Sequence, residues 1–194
     1  MIVVVEGPSA AGKTTWCARH APRWSPEPGR GPIEQVLRQQ VERWRQAVVD
    51  DAAGELVVLD GDPFKLYFSW AEWRLGRITA PAWEARADVA RGHFLSGDHG
   101  LADLVLYSDP GEDELRRRKV GDHTRSRRNF ERHTAMRRYV RRWYEAVAHL
   151  DPTRVVWEHP AGGLSDDLLG LGPRAPRSDP ALLDELFAHL AAEP

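Results

Sequence analysis

Short unbroken apolar runs alternate along the chain with longer stretches whose apolar positions recur every three or four residues. Ile2-Val3-Val4-Val5 is β-branched and stops at Glu6-Gly7. No polar residue interrupts it, which suits a strand buried on both faces of a parallel sheet. A helix is predicted to start within residues 14–20. Residues 21–32 carry Pro22, Pro26, Pro28, Gly29, Gly31 and Pro32 and read as loop. Ile33, Leu37, Val41, Trp44 and Val48 recur at spacings of four, four, three and four. They predict an amphipathic helix over about 33–49 with those side chains inward.

Leu56-Val57-Val58-Leu59 reads as a second buried strand, ending at Asp60-Gly61-Asp62. Residues 64–95 read as helical, broken near Gly76 and Pro81. A third strand is predicted from Leu101 to Tyr107, ending at Ser108-Asp109-Pro110. Residues 111–119 read as helix, interrupted by Gly121-Asp122. Met136, Val140, Trp143, Val147 and Leu150 form a stripe that predicts a long helix over about 127–149. Arg154 to Trp157 is a fourth strand, and 160–178 reads as loop. Asp179-Pro180 opens a last amphipathic helix carrying Leu182, Leu183, Leu186, Phe187 and Leu190. Strands alternating with helices predict one domain over 1–194: a three-layer α/β/α fold on a parallel sheet of four or five strands.

The first strand runs into Gly7-Pro8-Ser9-Ala10-Ala11-Gly12-Lys13-Thr14, which fits G-x-x-x-x-G-K-[ST] at every fixed position. Glycines let successive backbone N–H groups turn inward as an anion nest, and the helix N-terminus adds its positive dipole end. Lys13 is placed to reach the β- and γ-phosphates of a nucleotide. The Thr14 hydroxyl is placed to ligate Mg²⁺, and Thr15 to help the α-phosphate. The loop Gly7–Thr14 with Thr15 is therefore the predicted ATP site.

The end of the second strand lies on the same sheet edge as this loop. Asp60 is placed to hold Mg²⁺ or to act as general base, and Asp62 to take the other task. Asp62 before Pro63 also suits a helix cap. Glu6 sits beside the loop and reads as orienting it.

Between Glu112 and Glu145 there are twelve basic and six acidic residues. Positive charge around a transferring phosphoryl group is often supplied by arginines on a closing segment. Residues 116–128 therefore read as a lid, with Gly121-Asp122-His123-Thr124 as its hinge or tip and Arg118, Arg125 and Arg128 as candidate catalytic residues. Arg138, Arg141 and Arg142 fall opposite the apolar stripe and read as solvated.

Eight tryptophans occur in 194 residues. Trp44, Trp143 and Trp157 fall on predicted core faces. Trp70, Trp73 and Trp83, with Phe64, Tyr67 and Phe68, lie in the helical region 62–99. They read either as an aromatic wall for a flat acceptor ring or as helix packing. Arg86 and Arg91 read either as acceptor contacts or as solvated. His93 and His99 read as structural, and Cys17 as a small core residue.

Composition narrows the class. The chain is 42% hydrophobic and 29% charged with a formal net charge of −2. It therefore reads as globular and not as a nucleic-acid-binding cation. One cysteine excludes a disulfide framework within one chain. No apolar run reaches membrane-spanning length and no secretory signal is visible. A cytoplasmic enzyme without membrane or nucleic-acid partners is expected.

Taken in order, four features resemble the nucleoside and nucleotide kinases of the P-loop superfamily, of the thymidylate and deoxynucleoside kinase type. They are the Gly7–Thr14 loop, the strand ending at Asp60, the run Ala102–Pro110, and Leu115-Arg116-Arg117-Arg118-Lys119 with Arg125 and Arg128 leading into a long helix. The resemblance implies an ATP- and Mg²⁺-dependent kinase with an Arg-bearing lid, adenine near His159 to Gly163, and a small nucleoside-like acceptor bearing a hydroxyl or phosphate. Homodimers are common among such kinases. Two features depart from the pattern: Gly61 follows Asp60 where an Arg is usual, and Ala10-Ala11 stand where a third glycine is frequent. An antibiotic or specialised-metabolite O-phosphotransferase on the same scaffold, or an NTP-binding switch or ATPase, are the competing readings. The absence of an Asn-Lys-x-Asp run speaks against a GTPase.

Overall fold

The computed structural model describes residues 1–29, 31–121 and 129–192. The elements run β1 (Ile2–Glu6), α1 (Lys13–His20), α2 (Ile33–Ala52), β2 (Val57–Asp60), α3 (Leu66–Arg74), α4 (Ala80–Leu95), β3 (Leu104–Tyr107), α5 (Glu112–Gly121), α6 (Phe130–Leu150), β4 (Val155–Val156), α7 (Asp166–Gly170) and α8 (Pro180–Ala192). The strands form a four-stranded parallel sheet in the order β2-β1-β3-β4. Val5 pairs with Asp60 and Glu6 with Tyr107, so three strand ends meet on one rim.

Alternation along each strand splits the core into two layers. Ile2, Val4, Leu59 and Tyr107 face the larger cluster, with Trp44 of α2, Tyr67 and Trp70 of α3, and Trp143 of α6. Val3, Val5, Val58 and Leu106 face the smaller one, with Trp16 and Cys17 of α1. Both sheet faces are covered, as uninterrupted apolar strands require. Among the described residues, no helix is long and apolar enough to cross a membrane.

Helix α6 matches its stripe: Met136, Val140, Trp143 and Val147 are all buried. Helix α2 is turned relative to its own. Gln40, Trp44 and Ala47 are buried, whereas Leu37 is 52% and Val48 37% exposed. The reason is Arg43, which donates from Nη1 to Gln40 Oε1 (2.7 Å) and thereby lets a polar residue occupy the inner face.

Three further differences stand out. The break expected near Gly76 is found at 75–79, but Pro81 lies inside the first turn of α4, which is capped by the Thr79 side chain. β4 is only two residues long, and Trp157 is 37% exposed with the Arg141 guanidinium over its ring. The segment 160–178 contains the short helix α7, capped by Ser165. Its far end is tied to the opposite rim. Asp103, just before β3, accepts from Arg174 N (2.7 Å) and Arg177 Nε (2.8 Å), and Arg177 Nη1 reaches Asp51 at 2.8 Å.

Candidate active site

The loop after β1 passes so close to β3 that no side chain fits at position 7. A Cβ on Gly7 would stand 2.2 Å from the Ser108 carbonyl oxygen. Gly12 has φ +100° and Ala10 φ +75°, so Ala10 adopts a left-handed conformation that glycine takes without strain. Lys13 follows as the first residue of α1. Its Nζ donates to the Gly7 carbonyl (2.7 Å) and lies 3.6 Å from Glu6 Oε1. Residues 9–15 line an outer cleft of about 1340 Å³. His159 and Ala161, at the expected adenine end, line it too. His159 Nε2 donates to the Glu6 carbonyl (3.0 Å), and Trp16 Nε1 donates to the Pro160 carbonyl (2.7 Å).

Asp60 and Thr14 are brought together. Thr14 Oγ1 donates to Asp60 Oδ2 at 2.7 Å. Asp60 Oδ1 is buried with no hydrogen-bond partner. Burial raises the Asp60 pKa, against the Thr14 hydrogen bond and the Lys13 charge. Among the described residues no three His, Cys, Asp or Glu side chains converge as a metal cluster. A hydroxyl beside a carboxylate with one uncommitted oxygen nevertheless fits Mg²⁺, which takes few protein ligands and completes its shell with water and phosphate.

Asp62 is not brought to either cavity. It is buried, accepts from Phe64 N (2.8 Å) and from Tyr144 Oη (3.0 Å), and so closes the turn before α3. Burial, reinforced by the Glu6 charge, pushes its pKa up to about 7.

Glu6 has a larger place than its position beside the loop suggests. It is buried; Oε1 accepts from Gly7 N (2.7 Å), and Oε2 from Asp62 N (2.9 Å) and Tyr67 Oη (2.8 Å). Burial pushes its pKa up, but Lys65, Lys13 and the backbone N–H groups outweigh that and bring it to about 2. This anion ties the phosphate loop to the turn before α3.

Behind the phosphate loop lies an inner cavity of about 70 Å³, with Glu6, Glu27, Lys65, Phe68, His133 and Arg137 among its walls. Lys13, Glu27 and His133 also line the outer cleft, so the two spaces meet there. Glu27 is held by Lys65 at 2.8 Å. Burial raises the Glu27 pKa, but Lys65 and Lys13 hold it below the ordinary value. Burial lowers the His133 pKa to about 4, with Lys13 adding to the effect, so the ring is neutral near pH 7. Arg137 is paired with Asp109 at 2.9 Å. Arg43 fastens the segment that carries Glu27: Nη2 donates to the Ser25 carbonyl (3.0 Å) and the Asp60 carbonyl (3.0 Å).

Glu27, Lys65, His133 and Arg137 are absent from the residues singled out by sequence pattern. Two signals were present: Glu27 sits between two prolines in a loop, and Lys65 is one of three lysines against 24 arginines. Of the aromatic residues read either as an acceptor wall or as helix packing, Tyr67 and Phe68 line the inner cavity. Trp73 and Trp83 instead stack on each other (5.8 Å between centroids), and Trp70 and Phe64 are buried in the core. Arg86 bonds Ser69 and Arg91 bonds Asp184, both on the surface. Arg118 does reach the phosphate loop, donating from Nη1 to the Ala11 carbonyl (3.0 Å). Arg125 and Arg128, and the lid beyond Gly121, lie outside the described residues.

No protein-family profile matches the sequence, and no curated protein matches it. Solved structures do match the fold. A deoxyadenosine kinase from M. mycoides with bound dATP superposes with TM-score 0.60 at 14% identity, covering 81% of this chain and 89% of that one. The same enzyme with dCMP and dCDP gives TM-score 0.56 at 12% identity, covering 99% and 100%. With bound dCTP it gives 0.53 at 11%, again covering 99% and 100%. The four-stranded parallel sheet with helices on both faces is thus similar in its α/β/α fold to these kinase structures.

Proposed function

We propose that this protein is an ATP- and Mg²⁺-dependent small-molecule kinase that transfers the γ-phosphoryl group to a hydroxyl of a nucleoside-like acceptor. The observation that carries this reading is the meeting of two spaces at Lys13, Glu27 and His133. A phosphate cleft that meets a smaller pocket of mixed polar and apolar lining suits transfer between two bound molecules, which a switch or simple ATPase has no need of.

In this reading residues 9–15 hold the phosphates, with Lys13 turning from the Gly7 carbonyl to the β- and γ-phosphates. Thr14 and Asp60 would hold Mg²⁺, which neutralises phosphate charge when bound. Glu27 is the carboxylate that lines both spaces, so it takes the acceptor proton while the acceptor oxygen bonds to the γ-phosphorus and the bridging P–O bond to ADP breaks. Asp60 then serves the metal, and Asp62 serves the turn. Arg118 is the described lid residue placed to meet transferred charge.

The charges favour a hydroxyl acceptor over a phosphate acceptor. With Lys13 committed to ATP, Lys65 is paired with Glu27 and Glu6, and Arg137 with Asp109. A second phosphate would find no uncommitted cation in the inner pocket among the described residues. One observation supports a second reading, a smaller hydroxylated metabolite as acceptor. At 70 Å³ the inner pocket holds about five water-sized groups.

The test is ADP release from Mg·ATP with nucleosides, nucleoside monophosphates, hydroxylated antibiotics and small polyols, with Lys13→Ala as control. Stimulation by nucleosides alone supports the first reading, and by polyols or antibiotics alone the second. Release indifferent to every acceptor and abolished by Lys13→Ala would favour a switch or ATPase instead.

A further inference from the structure

Lys65 is the cation of the inner cavity that belongs neither to the phosphate loop nor to the arginine-rich region. Its Nζ is 2.8 Å from Glu27 Oε1 and 3.7 Å from Glu6 Oε2, and it donates to Tyr67 Oη at 3.2 Å. The ammonium also lies 5.6 Å from the Tyr67 and Phe68 ring centroids. The Lys65 side chain is 19% exposed, whereas Glu27 keeps 43% and faces both spaces. The pair passes directly over Gly61. A Cβ at that position would stand 3.1 Å from Lys65 Nζ and 3.3 Å from Glu27 Cδ. The space between backbone and carboxylate suits a compact ammonium rather than a planar guanidinium fork. That explains a lysine in a chain that otherwise uses arginine almost throughout.

We infer that Lys65 is a positioning residue, which holds the Glu27 carboxylate at the junction of the two spaces. The inference rests on the reading of this site as a phosphoryl-transfer centre in which Glu27 takes the acceptor proton. The direction of the Glu27 shift agrees: the Lys65 charge comes first among the effects that offset burial. The other groups around Glu27 are Lys13, Glu6, Arg43, Asp60, Tyr67 and the neutral His133. None of them is altered in the variants below.

The experiment uses the full chain as wild type, Lys65→Met, Lys65→Arg, Glu27→Gln and the Lys65→Met/Glu27→Gln double variant. Carbon-13 NMR follows the Glu27 carboxyl through a pH titration, its signal assigned by its loss in Glu27→Gln. Acceptor-dependent phosphoryl transfer is measured over the same pH range. Lys65→Met should raise the Glu27 midpoint by about one pH unit or more and move the acid limb of kcat/KM with it. Its kcat should fall at least about tenfold with KM for ATP unchanged. Lys65→Arg keeps the charge, so the midpoint should stay low while kcat is only partly retained. The double variant should be no slower than Glu27→Gln, because the 2.8 Å contact to Glu27 outweighs the 3.7 Å approach of Lys65 to Glu6, which keeps Lys13 and two backbone N–H groups.

An unmoved Glu27 midpoint in Lys65→Met, or losses that multiply in the double variant, would overturn the inference. If Lys65→Met does not fold, Lys65→Arg decides: a midpoint that stays low with full kcat would show that placement by Lys65 is irrelevant. A wild type with no acceptor-dependent transfer would instead defeat the kinase reading. The titration would then still measure the hold of Lys65 on Glu27.

Discussion

Thr14 Oγ1 and Asp60 Oδ2 lie 2.7 Å apart, joining the first turn of α1 to the last residue of β2. Strand register makes this meeting possible, because Val5 pairs with Asp60 and the loop begins two residues later at Gly7. The second Asp60 oxygen stays unpartnered. Asp60→Asn removes the charge on which the proposed Mg²⁺ site depends. Because burial already disfavours that charge, the fold should survive. The expected outcome is a loss of about 100-fold or more in kcat at fixed Mg²⁺. A higher Mg²⁺ concentration should also be needed for half-maximal activity, read from a metal titration at saturating ATP. Retained activity with unchanged Mg²⁺ dependence would remove Asp60 from the metal site.

Asp62 and Glu6 pull stability in opposite directions with pH. The Asp62 pKa is raised to about 7, so its contribution is fully present below the unfolded value near 3.8 and is lost as pH rises through 7. The Glu6 pKa is lowered to about 2, so its contribution is present above the unfolded value near 4.5 and is lost as pH falls through 2. Asp62→Asn can keep both bonds, accepting from Phe64 N and donating to Tyr144 Oη. It should therefore be more stable than wild type at pH 8, with the gap closing toward pH 4. Denaturant melts at the two pH values measure this. A constant difference between the two proteins would contradict it.

Gly7 permits the close passage of the loop under β3. Gly7→Ala places a methyl group 2.2 Å from a backbone oxygen, at a φ of +152°. The expected destabilisation exceeds about 3 kcal/mol, read as a lower thermal midpoint. Gly12→Ala meets Arg118 Nη1 only at 3.7 Å and should cost less, from its φ of +100° alone.

Arg43 joins the segment bearing Glu27 to the strand end bearing Asp60. Arg43→Met leaves the Ser25 and Asp60 carbonyls without their charged donor, although Asp60 N still donates to the Ser25 carbonyl (3.0 Å). The loss should be about 2 kcal/mol or more, as for hydrogen bonds to a charged group. Cleavage by protease within 21–32 should accelerate more than cleavage elsewhere. Uniform acceleration along the chain would show that Arg43 supports the whole core rather than this segment.

The elements that pattern reveals are those whose contacts repeat at fixed spacing. Ile2–Val5 of β1 and Val57–Leu59 of β2 are unbroken apolar runs because both faces are covered, and α6 buries Met136, Val140, Trp143 and Val147 of its stripe, with Leu150 half-buried. The phosphate loop is legible because its turn demands particular residues at particular steps. Glu27 is not, because its place depends on a single bridge between Ser25 and Leu59 and on Arg43 from another helix. Neither contact leaves a period in the sequence. The inner face of α2 shifts for a related reason, since Arg43 makes Gln40 acceptable where an apolar residue was expected. Of the two readings open for the tryptophans, helix packing holds: Trp73 and Trp83 find each other, and Phe187 of α8 covers Trp83.

The Asp103–Arg177 network stands at the start of β3, on the rim away from Glu6 and Asp60. There each carboxylate is matched by a guanidinium or a backbone N–H, whereas the opposite rim keeps an unmatched oxygen on Asp60. The two rims are thereby unlike: one closes the fold with matched ion pairs, and the other keeps an unmatched carboxylate oxygen beside the loop that Gly7, Glu6 and Arg43 hold in place. Substitutions chosen for robustness can be made around Asp103 without entering the cleft. Those chosen to change what the cleft accepts can be made at the other end without loosening the clasp that closes the fold.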